Sequence, residues 1–170
     1  MSNYSPSTIA RIGDLNPKRG LVCRTATVNN TDVFKATAVN IFKITGKIRI
    51  VSLDYEAITG FSADASVPRW QFVSTTPVVA LTNISAASAA NTSLALGERV
   101  VLQGTALNTA PVIDAAIGIS VKPANVMDVG SEGGLLHLAI DADVAQTSGT
   151  SVFTLCYLPL TAGAAAEALM

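Results

Sequence analysis

The side chains able to do chemistry are few and scattered. A single histidine, His137, sits in the stretch GLLHLAI between Leu136 and Leu138. Catalytic triads and general-base schemes need a histidine fixed by a partner. One that alternates with leucines is read as an outward strand residue or a contact between subunits. With one histidine, the chain by itself cannot build a two-histidine zinc or cupin-type centre. Asp141 and Asp143 lie two apart and would share one face of a strand. Such a carboxylate pair can bind Ca²⁺ or serve a glycosidase, but sugar-cleaving sites need aromatic platforms and the chain has one tryptophan, Trp70. Solvated charges beside a loop are the better expectation. The run Gly130-Ser131-Glu132-Gly133-Gly134 is glycine-rich, yet Glu132 would repel a phosphate, and no P-loop, dinucleotide fingerprint or Cys-x-x-Cys occurs. The expectation is therefore no enzyme, no catalytic residue, no cofactor, no metal and no small-molecule substrate.

Cys23 and Cys156 sit in strand-like contexts far apart in the chain. Buried thiols in a reducing cytosol are the favoured expectation. A disulfide would require the first and last strands to be neighbours. Asn3, Asn29, Asn83 and Asn91 fit the Asn-x-Ser/Thr pattern. Residues 1–20 are polar with no apolar core stretch, so no secretory signal is expected and these matches carry little. No run reaches the roughly 18 apolar residues of a membrane-spanning helix, and no membrane association is expected.

The elements that must hold these residues are strands. From Val33, VFKATAVNIFKITGKIRI puts Phe34, Ala36, Ala38, Phe42, Ile44, Ile48 and Ile50 on one face. Lys35, Thr37, Lys43, Thr45, Lys47 and Arg49 fall on the other. Val39 and Ile41 break the alternation, so Asn40 or Gly46 marks a turn or bulge. Further strands are predicted at 50–58, 70–74, 78–84, 99–107, 115–122, 135–140 and 151–158, separated by Gly, Pro, Asn and Ser clusters. Strands at this spacing read as a sandwich or barrel. No long helix is predicted. Residues 163–170 (GAAAEALM) have helix-forming composition but are too short to be stable alone. SVFTLCYLPL is apolar on both faces, so burial from a second subunit is expected, and Phe153, Leu155, Tyr157 and His137 are the candidate oligomer-interface residues. Three segments follow: an extended N-terminal arm (1–28), a β-sandwich (29–162) and a short C-terminal tail (163–170).

Of the 170 residues, 49% are hydrophobic but only 5% aromatic and 14% charged, against about a quarter charged in ordinary soluble domains. Mean hydropathy is +0.45. So little charge favours a surface that meets other protein, as in an obligate oligomer. The net charge of −1 conceals a division. Residues 1–50 hold eight basic and two acidic side chains, and residues 51–170 hold three basic and ten acidic. Arg11, Lys18, Arg19, Arg24, Lys43, Lys47 and Arg49 are candidate partner-contact residues on this ground. Solvated strand faces account equally for Lys43, Lys47 and Arg49. The basic residues are scattered and not interleaved with aromatics, so nucleic acid is not expected.

The polar arm, the Ala/Thr/Val/Gly-rich β domain with its strand VNIFKITGKIRI, and the closing TSGTSVFTLCYLPL with an Ala/Gly tail together resemble the capsid decoration (cement) proteins of tailed bacteriophages. The resemblance covers about residues 30–163 and rests on style, with no invariant motif. It implies a jelly-roll-like β-sandwich and a homotrimer bridging major capsid subunits. It places the protein on the capsid surface of the virion after synthesis in the host cytoplasm, with the basic residues above on the shell. A tail, neck or fibre-base β module is the alternative, and after it a carbohydrate-binding module using Trp70, Tyr55 and Phe72.

Overall fold

The computed structural model describes residues 20–76, 78–87, 94–102, 112–114, 127–130 and 134–170. Arg11, Lys18 and Arg19, the strand expected at 115–122 and most of the glycine-rich loop at 131–133 lie outside them. The described chain is almost entirely β: β1 (Val22–Asn29), β2 (Val39–Thr45), β3 (Ile48–Thr59), β4 (Pro68–Thr76), β5 (Val78–Asn83), β6 (Arg99–Val101), β7 (Val112–Asp114), β8 (Met127–Val129), β9 (Leu135–Ala142), β10 (Thr150–Pro159) and β11 (Ala165–Ala168). The one helix among the described residues, α1 (Asn30–Val33), is a single turn.

Two antiparallel sheets form. The first runs β1-β10-β3-β6-β7, with β8 also on β3, and the second runs β11-β2-β9-β4-β5. The pairings nest: β1 with β10, β2 with β9, β3 with β8 and β4 with β5. Successive nested pairs alternate between the sheets, which are completed by β10 on β3 and β9 on β4. β1, β2, β3 and β4 therefore each lie beside a strand from the C-terminal part of the chain.

Period-2 alternation explains the layers. Phe42, Ile44, Ile48, Ile50, Leu53, Tyr55, Leu138, Phe153, Leu155 and Tyr157 all point into one core. The aromatic residues, scarce in composition, are concentrated there. Phe34 contacts Tyr55, Phe61 and Phe153 at centroid distances of 5.2, 5.2 and 5.9 Å. Trp70 of the second sheet meets Phe153 of the first edge-on at 5.6 Å, and each such pair adds about 0.5–1.5 kcal/mol beyond area burial. Ala36 and Ala38, expected in the core, are exposed because residues 34–38 leave strand geometry before β2.

Of the two positions offered for a turn or bulge, each carries an irregularity. The register shifts between Asn40 and Phe42, and the chain reverses at Gly46, whose φ of +71° suits glycine. A Cβ there would sit 2.8 Å from Thr161 Oγ1. Two boundaries differ from expectation. β1 begins within the span read as the arm (1–28) and ends at Asn29, and residues 165–168 pair with β2 as a strand instead of coiling. A tail of eight residues is too short to be stable as a helix by itself, whereas the open edge of β2 supplies unpaired backbone groups. At the same side of the sandwich, Ala166 N–H donates to the Tyr157 hydroxyl at 2.9 Å, and Arg24 Nε donates to Ala166 O at 3.1 Å. β11 thus stitches the edges of the two sheets together.

Candidate docking surface

The strands start and stop in common planes, so the sandwich has two ends. At one end lie the β2–β3 turn, the start of β1 and the β10–β11 connection, and Leu160 N–H donates to Lys47 O there. The other end gathers α1, the connections 60–67 and 143–149, and residues 84–87 and 94–98. The first is the turn end, the second the loop end.

The four described candidate contact residues lie toward the turn end. Arg24 is on β1 and reaches across to β11. Lys47 is in the β2–β3 turn, its amide held by Thr161 Oγ1 at 3.0 Å. Arg49 grips Asp128 of β8 through two hydrogen bonds of 2.6 and 3.0 Å. Lys43 stands 3.8 Å from Glu167 of β11. Among the described residues of the N-terminal strands, Arg49 and Lys43 are thus not free cations. Nested pairing sets basic N-terminal strands against acidic C-terminal ones, and Arg49 and Lys43 meet carboxylates as cross-strand partners. These exposed pairs contribute little to stability. Among the described side chains the turn end still carries four basic groups against Asp128 and Glu167, with Leu21 and Leu160 exposed beside them. Hydrogen bonding from Arg49 lowers the Asp128 pKa, and the Arg49 and Lys47 charges lower it further.

The loop end is acidic and tightly braced. Gln146 Oε1 accepts from the Ser62 amide and hydroxyl at 3.0 and 2.7 Å, while Gln146 Nε2 donates to Asp64 O at 2.8 Å. Thr147 Oγ1 donates to Asp64 Oδ2 at 2.8 Å. Hydrogen bonds from Ser62 and Thr147 lower the Asp64 pKa. Gly149, at φ +103°, lets its carbonyl accept from the Asn30 amide at 2.9 Å. A Cβ at that glycine would strike the Asn30 side chain.

Asp141 is not the solvated charge expected. It is buried on β9, holds Arg69 of β4 through two 2.8 Å hydrogen bonds and accepts from Gln71 Nε2 at 3.2 Å. Asp143 lies beyond the strand, where its Oδ1 accepts from the Val67 and Val144 amides. The two carboxylates therefore do not act as a pair. Both line, with Val67, Arg69 and Ala142, a shallow cleft of about 220 Å³, below the roughly 300–1,000 Å³ of small-molecule sites. Among the described residues, no three His, Cys, Asp or Glu side chains group to hold a metal. On the first sheet, Asp54 is 5% exposed, and its Oδ1 lacks a hydrogen-bond partner among the described residues. Burial pushes its carboxyl up to about 6, against the Arg99 charge and with a smaller push from Glu56.

Three of the four candidate interface residues are corrected. Phe153, Leu155 and Tyr157 are 0, 0 and 2% exposed within a single chain. Both faces of β10 are apolar, so alternation could not say which one the other sheet covers. The outward face carries Val152, Thr154, Cys156 and Leu158, all half-buried. His137 does face outward, half-buried opposite Lys43 and Val73. Burial lowers its pKa and the Lys43 charge lowers it further. Of the three aromatics of the sugar-binding alternative, Trp70 and Tyr55 are 0 and 1% exposed core residues, and Phe72 is half-buried against the core.

The cysteines are also corrected. Cys23 and Cys156 are direct partners in the β1–β10 ladder and form a disulfide, with Cα atoms 4.1 Å apart. Both point to the outer face, Cys23 exposed and Cys156 half-buried. No local sequence signal gives the bond; it follows from the neighbouring of β1 and β10, which nesting supplies.

Comparison with protein-family models, curated proteins and solved structures gives no match.

Proposed function

We propose that this chain is a virion structural protein of the tailed-phage decoration type, a jelly roll that clamps major capsid subunits as a homotrimer. The observation that carries the reading is the nested strand order. Pairs β1·β10, β2·β9, β3·β8 and β4·β5, alternating between two sheets, are what a long antiparallel ribbon gives when it rolls up. That is the architecture of jelly rolls, which recur in viral capsid and lectin domains. Within that pair of classes, the burial of Trp70 and Tyr55 favours the structural role over the lectin-like one.

The charge layout supports docking by the turn end. Arg24, Lys47 and Arg49 gather where β1 begins, and the residues before β1 add Arg11, Lys18 and Arg19 against Asp14. An acidic protein surface suits that end, and the acidic loop end would face away from it. Many modest contacts multiplied over the copies on a particle hold a shell.

Light scattering on the purified chain tests the oligomer. A mass three times 17.5 kDa is expected, and a hexameric ring would move the assignment to a tail or neck module. Reconstruction of particles carrying the chain should place it at three-fold or quasi-three-fold positions. Particles that lack it would overturn the reading.

A further inference from the structure

We propose that the Cys23–Cys156 bond is a redox-set lock that stops β1 from being peeled off the sandwich by tension on the residues before it. The origin of the tension rests on the reading above, in which those residues grip a partner. The lock itself is a property of the free chain.

β1 is an edge strand whose sheet partner is β10. It fully buries only Ala26 and Val28, while Cys23, Thr25, Thr27 and Asn29 are exposed. Packing therefore holds it far less firmly than β10, which buries Phe153, Leu155 and Tyr157. Tension arriving from the N-terminal side meets the ladder at Val22↔Tyr157, and the next rung is Cys23↔Cys156. An antiparallel ladder pulled from one end opens rung by rung, so each rung bears the force alone. With the second rung covalent, opening stops after Val22. The force then passes to Cys156, on a strand hydrogen-bonded on both sides, to β1 and to β3. Without the bond, peeling can run toward Asn29, opposed by small side chains and by the Arg24–Ala166 hydrogen bond. It stops at Asn30, which is buried and tied to Gly149 and Ser151.

The sulfurs lie on the outer face and Cys23 is exposed, so a small thiol reaches them. One thiolate of a dithiol reductant attacks a protein sulfur and expels the other as thiolate. The second thiolate of the reductant then closes its own ring disulfide and releases the first. Two protein thiols form as one dithiol is oxidised, and a low-molecular-weight disulfide reverses the exchange.

The test is amide hydrogen exchange on the free full-length chain in three forms: oxidised, reduced with dithiothreitol, and a Cys23→Ser/Cys156→Ser double variant under oxidising conditions. Amides of residues 24–29 should exchange at least about tenfold faster in the second and third forms, with amides of β3 and β9 changing less than about twofold. Equal β1 rates in all three forms would overturn the lock. So would acceleration spread evenly over β1, β3 and β9, which would make the bond a general stabiliser. Two titratable thiols in the oxidised protein would also end it. None of these readouts involves a particle, so a failure of the capsid reading is seen separately.

Discussion

Arg69 and Asp141 face each other across β4 and β9, joined by two parallel hydrogen bonds of 2.8 Å and separated by 72 residues of chain. Asp141 also takes the Gln71 amide, which in turn donates to Asn83 Oδ1 at 3.0 Å. A polar ladder therefore crosses three strands of the second sheet on its outer face. Arg69 raises no need for a ligand here, because its charge is answered within the chain.

Asp141→Ala should destabilise the fold by about 1–2 kcal/mol. The pair is partly buried, with Arg69 43% exposed, so the loss falls below that of a fully buried ion pair. Asp141→Asn keeps an acceptor for Gln71 and should lose less. Urea denaturation of the two variants beside the parent checks the order.

Phe153→Ala should cost about 3–5 kcal/mol, as expected for removing a fully buried aromatic ring. The ring touches Phe34, Tyr55 and Trp70. Thermal melting at several protein concentrations separates core from interface. A core role lowers the melting temperature at every concentration, whereas an interface role would change mainly its concentration dependence.

Asp54→Asn should stabilise the protein above pH 6 and do nothing near pH 3.5. The folded-state pKa of about 6 lies above the ordinary 3.8, so the folded protein holds this proton more tightly than the unfolded chain. Stability therefore falls as pH rises through the window between those values, and the ionised, buried carboxylate costs up to about 3 kcal/mol above it. Melting curves of parent and variant at pH 4 and pH 8 should differ by a gap that opens only at the higher pH. A constant gap would refute the assignment.

His137, as the one histidine, gives one pair of imidazole resonances. Their titration midpoint should fall below 6.5, and Lys43→Ala should move it upward. Because the folded-state pKa is depressed, the stabilising contribution is present above 6.5 and is lost as pH falls through the folded value. An NMR titration of parent and variant reads both effects.

The periodic parts of the chain were legible without coordinates. Phe42, Ile44, Ile48 and Ile50 alternate with polar neighbours and are buried, and Gly46 and the Asn40 region break the pattern where the backbone does. A two-residue period is a local property, written into adjacent side chains, and it fixes all-β class, most strand positions and the core side of half-polar strands. It is silent where both faces are apolar. Phe153, Leu155 and Tyr157 were as good a guess for a subunit contact as for the core until the second sheet was seen to cover them.

What only the tertiary structure decided was partnership. Strand pairing is made by backbone groups that every residue carries alike, so no side chain announces its neighbour. Cys23 with Cys156 and Arg49 with Asp128 are products of the nested order, and Lys43 with Glu167 follows from β11 pairing with β2. That order turned a chain divided into basic and acidic halves into cross-strand ion pairs. The open edge of β2 took up a helix-prone tail, too short to hold itself together, as a strand.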